Sequence, residues 1–308
     1  MIFFILALAC SDKDPGPSTD DSAPEGDADT DTDTDTDTDS DADSDSDTDA
    51  YLSVKELPET ASEVELSSCY SFDEVWKDRT VNPDCAGVAG KLWLYDFETG
   101  EPVDTAMVQL YAADTTSAEV EASDETNSNG RVAIEAAACE PRTLAVEASD
   151  DLVATISQHQ VLLVEEDLNL VSFSAATVAS LPELLEVTLD EEKGIVMGRV
   201  VGCQRDPVRY SQVLVRGSEG ILAGVDVFYF RDKFPSKEPT FTGGDGYWIA
   251  VNVPPGVKTM EAWVWDGSGY ALLGRSPAEV KPAGVTLTSI YTGHQSGVFV
   301  PASCITCE

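Results

Sequence analysis

Gly194-Ile195-Val196-Met197-Gly198-Arg199-Val200-Val201 is the stretch on which the reading of the fold turns. It is a short run of β-branched and other apolar residues that starts at a glycine, and it reads as a strand. It also restarts a pattern met earlier. Gly87 opens Val88–Tyr95, where Leu92 and Leu94 fall on one face and Trp93 and Tyr95 on the other. The two opening glycines lie 194 − 87 = 107 residues apart, a spacing suited to two tandem domains.

Working outward, the first copy continues through the polar turn Asp96–Val103, a strand from Ala106 to Tyr111, and an acidic Ser/Thr-rich loop. Thr126 and Asn129-Gly130-Arg131 then form a turn before Val132-Ala133-Ile134, and Leu144–Glu147 follows. The second copy continues through Val225–Phe230 and the turn-then-strand Thr242–Trp248, which matches Thr126–Val132. Val253-Pro254-Pro255-Gly256 makes a turn before Met260–Trp265. Between the copies Val161–Phe173 is apolar. Ser174–Leu185 then reads as a helix, with Val178, Leu181 and Leu185 on one face, Ser174 or Ser180 as its cap, and Pro182 marking or breaking its last stretch.

The expected fold class is therefore all-β, with two tandem Greek-key-like β-sandwich modules and a short interdomain helix. The expected organisation is residues 87–173 for the first module, 174–193 for the helix and linker, and 194–308 for the second module with its cysteine tail. Gly90-Lys91-Leu92, Thr99-Gly100-Glu101-Pro102-Val103, Gly198-Arg199-Val200, Asp245-Gly246-Tyr247 and Pro254-Pro255-Gly256 resemble the carboxypeptidase regulatory-like domains. That resemblance implies small sandwiches of transthyretin-like topology, often accessory modules of enzymes, and implies no ligand. The second copy lacks the Thr-Gly pair in its first turn, and Ala136–Pro141 stands where Val-Pro-Pro-Gly is expected in the first.

Upstream, the chain changes character. From Asp27 to Asp49 every odd position is Asp and every even one is Ala, Thr or Ser. Such a run has no side chain larger than Thr between its carboxylates to pack, so residues 10–50 read as a disordered acidic tether. Fully extended, it spans about 130 Å. It lacks the glycines and wrapped carbonyls of a calcium loop, so weak nonspecific divalent cation association is the most it implies, and no cofactor is expected. Met1–Ala9 is apolar and too short to span a bilayer. Ala7-Leu8-Ala9-Cys10 resembles a bacterial lipoprotein signal, which implies that residues 1–9 are removed and that Cys10 carries the lipid (diacylglycerol, and palmitate on the amine). Ser11 is, in that family, permissive for the outer membrane. The alternative is a secretory leader, with the product secreted or periplasmic.

The net charge is −39. Residues 1–50 hold 17 acids and one Lys, a net −16, which leaves −39 + 16 = −23 on the rest. This balance excludes nucleic acid as a partner. It is compatible with the membrane reached through the lipid, and with an envelope protein or polysaccharide. Cys69, Cys85, Cys139, Cys203, Cys304 and Cys307 are an even set with only two His, His159 and His294, which favours disulfides over zinc. Cys69–Cys85 is paired by proximity, within a segment 51–86 expected to dock on the first module. Cys304-Ile305-Thr306-Cys307 reads as a pin for the tail.

No catalytic constellation stands out, and the expected role is non-enzymatic display or binding. Carbohydrate binding on a platform of Tyr229, Tyr247, Trp248, Trp263 and Trp265 is the first alternative. A hydrolase using Asp226, Asp232 or Asp245 is the second, and would require those carboxylates to converge.

Overall fold

Alternating apolar residues generate most of the strands, and the pattern of turns folds them into two similar sets. The computed structural model describes residues 91–112, 115–134, 141–161, 168–202, 207–231, 234–265 and 269–292. These all belong to one compact unit. The first set is β1 (Leu92–Asp96), β2 (Met107–Tyr111), β3 (Val120–Glu125), β4 (Arg131–Val132), β5 (Pro141–Val146), β6 (Leu152–Val153), β7 (Thr155–Val161) and β8 (Leu168–Ser174). Helix α1 (Ala175–Leu185) follows. The second set is β9 (Gly194–Val201), β10 (Gln212–Gly217), β11 (Gly220–Ile221), β12 (Asp226–Arg231), β13 (Phe234–Ser236), β14 (Tyr247–Val253), β15 (Gly256–Trp265), β16 (Tyr270–Val280), β17 (Val285–Leu287) and β18 (Ile290–Tyr291).

The described chain is thus largely strand, with one short helix. Three sheets form: β4-β1-β8-β6, β11-β10-β15-β16, and a ten-stranded sheet ordered β13-β12-β14-β9-β17-β7-β5-β2-β3, with β18 also paired to β9. The strand orders of the two sets correspond. In the first, β4-β1-β8 faces β3-β2-β5-β7; in the second, β14-β9-β17 faces β11-β10-β15-β16. The first strand of each set pairs in parallel with a strand near the end of that set, β1 with β8 and β9 with β17 and β18.

The correspondence extends to single hydrogen bonds. In the first set the Leu94 N–H donates to the Gly130 carbonyl, and the Val103 N–H to that of Leu94. In the second the Val200 N–H donates to Gly246, and the Val208 N–H to Val200. The Thr126 hydroxyl accepts from the Ala106 N–H at 2.9 Å, and the Thr242 hydroxyl from the Ser211 N–H at 3.0 Å. Gly130 and Gly246 have φ of 72° and 69°. A Cβ on either would lie 2.4 Å from the Leu94 carbonyl or 2.6 Å from that of Val200, with Pro102 or Pro207 behind it. Both the left-handed backbone and the close approach require glycine.

The ten-stranded sheet fuses the halves. β17 lies between β7 and β9 and pairs in parallel with both, Thr286 standing opposite Ile156 on one side and Val196 on the other. One face of this sheet buries Val108, Leu110, Leu144 and Val146 against Leu92, Leu94 and Leu170. On the same face, α1 covers Ile195, Met197, Ile249 and Val285. The opposite face packs Val196, Val200, Trp248 and Ala250 against Val213, Val215, Met260 and Ala262 of the β10-β15-β16 sheet. A polar latch crosses between the halves: the Glu279 carboxylate accepts from the Thr115 and Thr116 hydroxyls and the Thr116 N–H (2.6–3.0 Å), and the Glu279 N–H donates to Gln158.

α1 starts at Ser174, whose hydroxyl accepts from the Thr177 N–H at 3.0 Å, and ends at Glu186 in the left-handed region. Pro182 sits inside the helix, its carbonyl accepting from the N–H of the cap residue Glu186. The disulfide expectation is corrected: no disulfide bond is present. Cys10, Cys69, Cys85, Cys139, Cys203, Cys304 and Cys307 all lie outside the described residues, as do the leader, the tether, segment 51–86 and the tail. Stability in the described part rests on apolar burial, which a chain of this size has room for.

Close approach at β9 gives a test. A Cβ on Gly198 would lie 1.6 Å from the Thr288 carbonyl oxygen, whereas one on Gly269 would meet nothing within 4 Å. We expect Gly198→Ala to cost about 3 kcal/mol or more and Gly269→Ala to stay within about 0.5 kcal/mol. Urea denaturation midpoints measure both, and equal midpoints would contradict the packing.

Candidate functional site

The turn after β1 builds one wall of a cleft. The Asp96 carboxylate accepts from the Glu98 and Thr99 N–H groups and the Thr99 hydroxyl (2.8–3.0 Å), an Asx-type turn. This sets Phe97 against Phe173, ring centroids 4.6 Å apart and nearly parallel. It also brings the Glu98 carboxylate to the Thr177 hydroxyl at 2.8 Å. The floor is the α1 side of the large sheet, from Ile195, Met197, Phe230, Ile249 and Val285.

Helix width explains why a cleft remains. A helix covers a strip about 10 Å wide, whereas the five strands from β13 to β17 span roughly 20 Å. α1 turns Leu181 and Leu185 down onto the sheet. Its flank, carrying Ala176, Ser180, Glu183 and Leu184, borders the space left beside it, and Phe234 and Pro235 of β13 close the far side. The resulting cleft is about 690 Å³. Leu184 and Phe234 on its rim are 45% and 43% exposed. Among the described residues, its charged lining residues are Glu98 and Glu183. Such a space holds apolar groups.

The predicted aromatic platform is not assembled. Tyr229 and Trp248 are 2% and 0% exposed and point between the sheets of the second half. Tyr229 accepts a hydrogen bond from the Val213 N–H at 2.8 Å, tying β12 to the facing sheet, and burial pushes its phenol well above the usual value. Trp263, 0% exposed, lies instead with Leu214, Tyr270 and Leu272. Tyr247 is half-buried on the α1 side, against Phe230 and with the Arg199 guanidinium 4.9 Å from its ring centre. The side chain of Trp265 lies outside the described residues. Burial of three of the five removes the shared face that stacking on a sugar requires.

Of the proposed hydrolase acids, Asp226 and Asp245 do not meet. Asp226 pairs opposite Val251 near one end of β14, and Asp245 precedes its other end, roughly 20 Å away along the strand. Asp232, His294 and the His159 side chain lie outside the described residues. Among the described residues no group of three or more His, Cys, Asp or Glu is placed to hold a metal.

Sequence reading missed a buried ionic cluster beside Trp263. The Glu261 carboxylate is almost wholly enclosed and accepts from Arg216 Nε and Nη2 and from Arg275 Nε, each at 2.9 Å, and from Trp263 Nε1 at 3.3 Å. The available signal was a lone acid inside the apolar alternation Met260–Trp265. Burial raises the Glu261 carboxyl, but the two guanidinium groups outweigh it and hold it below the usual carboxylate range.

No protein-family model matches the chain, and no curated protein sequence matches it. Solved structures with similarity include the Bacillus anthracis TIE protein, at 10% identity and a TM-score of 0.22, covering 70% of this chain and 34% of that one. The shaft pilin SpaA of Lactobacillus rhamnosus GG is 8% identical at a TM-score of 0.22, with 70% and 99% covered. GBS52, the minor pilin of Streptococcus agalactiae, is 12% identical at 0.22, with 69% and 98% covered. The chain thus spans about a third of the TIE protein's length. Likeness at this level carries no argument about function.

Two outcomes follow from the buried groups. Tyr229→Phe leaves the Val213 N–H without its acceptor, and we expect a loss of about 1–2 kcal/mol in urea unfolding. For Glu261, whose folded value is depressed, stability is fully present above the unfolded value of about 4.3 and is lost as pH falls through the folded one. We expect Tm to fall as pH drops below about 4, and Glu261→Gln to flatten that fall while costing on the order of 2 kcal/mol at neutral pH.

Proposed function

We propose that this protein is a non-catalytic binding protein displayed on the bacterial cell surface. Cys10 is the lipid-bearing anchor, Asp27–Asp49 is the spacer, and the fused double sandwich is the head that holds a ligand. The observation that carries the binding role is the apolar cleft beside α1: an open space of about 690 Å³ with exposed Leu184 and Phe234 on its rim. An apolar surface kept open to solvent costs roughly 25 cal/mol for each Å² left unburied, so a rim of this kind marks an interaction site. Two features of the sequence support display. One is the small-residue approach to Cys10; the other is the alternating aspartates, which hold the chain extended by mutual repulsion. The partner is an envelope component with an apolar part that enters the cleft.

Intact mass and membrane fractionation of the natively produced chain test the display reading. We expect a mature mass beginning at Cys10 with a diacyl or triacyl adduct, and release to the soluble fraction on Cys10→Ala. A chain lacking Cys10, with no adduct and the same fractionation in both forms, would overturn the anchor.

A further inference from the structure

We propose that the cleft beside α1 takes a cationic amphiphile: an apolar chain seated on the sheet, with a single ammonium or amidine-type head at the mouth. The inference rests on the binding role given to the cleft above and adds the chemistry of its ligand. Three observations carry it. The floor is hydrocarbon and aromatic, with Met197, Phe230, Ile249 and Val285 facing the space. Among the described residues, the two charged groups that line it are both carboxylates, Glu98 from the turn after β1 and Glu183 from α1. Neither Lys237, paired with Glu186 at 2.5 Å, nor Arg231, paired with Glu238, lines it.

The physical consequence is a sign preference. An apolar chain gains from leaving water whatever its head. Its head then sits where both neighbouring charges are negative and one flank is low-dielectric protein, so a cation is attracted and a carboxylate or sulfate is repelled. Glu98 is held in place by the Thr177 hydroxyl, at 2.8 Å, so its charge is presented from a fixed position. The hydroxyls of Thr177 and Ser180 add neutral polar groups beside it.

The overall charge of −39 attracts any cation, so the test separates the cleft from the rest of the surface. The probes are dodecyltrimethylammonium, dodecanol and dodecyl sulfate, each below its micelle concentration, titrated calorimetrically into the full-length chain at low salt. Ser180→Trp, on the exposed flank of α1, fills the cleft without touching the core. We expect the cation to bind about tenfold or more tighter than the sulfate, with dodecanol between them. Ser180→Trp abolishes these binding events, and Glu98→Gln with Glu183→Gln brings cation and sulfate within about twofold while dodecanol is unchanged. Binding of all three probes with equal affinity, still lost in Ser180→Trp, would overturn the charge preference and leave the binding role of the cleft standing. Cation binding that survives Ser180→Trp would place it on the acidic surface, and with no dodecanol binding either, both readings would fall.

Discussion

Three residues, Val285-Thr286-Leu287, hold the two halves of this molecule in one sheet. β17 is hydrogen-bonded in parallel to β7 of the first half and β9 of the second. Val285 and Thr286 are buried, so neither neighbour is optional. Without this strand each half keeps its own sandwich, but β7 becomes an edge and β9 keeps only the two-residue β18 on that side. The latch from Thr115 and Thr116 to Glu279 works in the same sense, because the acceptor belongs to β16 and the donors to the loop before β3.

The duplication is used asymmetrically. Each half repeats the same strand order and the same glycine–proline contact, yet the fusion joins opposite sheets of the two repeats. The β1-β8 sheet therefore covers one end of one face of the large sheet, and the β10-β15-β16 sheet covers the other end of the opposite face. That offset leaves the β13-to-β17 stretch open on one side. α1, emerging directly from β8, is the only helix among the described residues and is too narrow to close it. The cleft is thus a consequence of how two sandwiches were joined, and its acidic lip comes from the first half's turn and from the helix that links the halves.

Much of this was legible in the chain. Alternation placed Leu92 and Leu94 together on one face, and β-branched runs marked β9 and β12. The turns at Gly130 and Gly246 were recognisable because only glycine fits their backbone, and Ser174 with Val178, Leu181 and Leu185 announced the helix. Other elements were hidden for physical reasons. β10 carries the continuous apolar run Val213-Leu214-Val215, which has no period to distinguish strand from helix. β3 is an exposed edge of acids and serine that reads as loop. β16 contains Gly274 and Pro277, ordinary breakers, tolerated because it pairs on one side only, with β15. β17 is three residues long, and its importance lies wholly in what it lies between. The aromatics were legible as strand residues, but their burial depends on which sheet covers which face, and Glu261 likewise depends on Arg216 and Arg275 arriving from distant strands. The cleft depends on that same tertiary offset.

The fusion at β17 joins the two halves in one sheet. Hydrogen exchange read by mass spectrometry on Thr286→Pro, against the unaltered chain, tests it most directly, since proline removes a ladder donor from a central strand. We expect protection to fall together in Thr155–Val161 and Gly194–Val201, one segment in each half. Loss of protection confined to one of those segments, with the other unchanged, would show that the halves are joined in some other way.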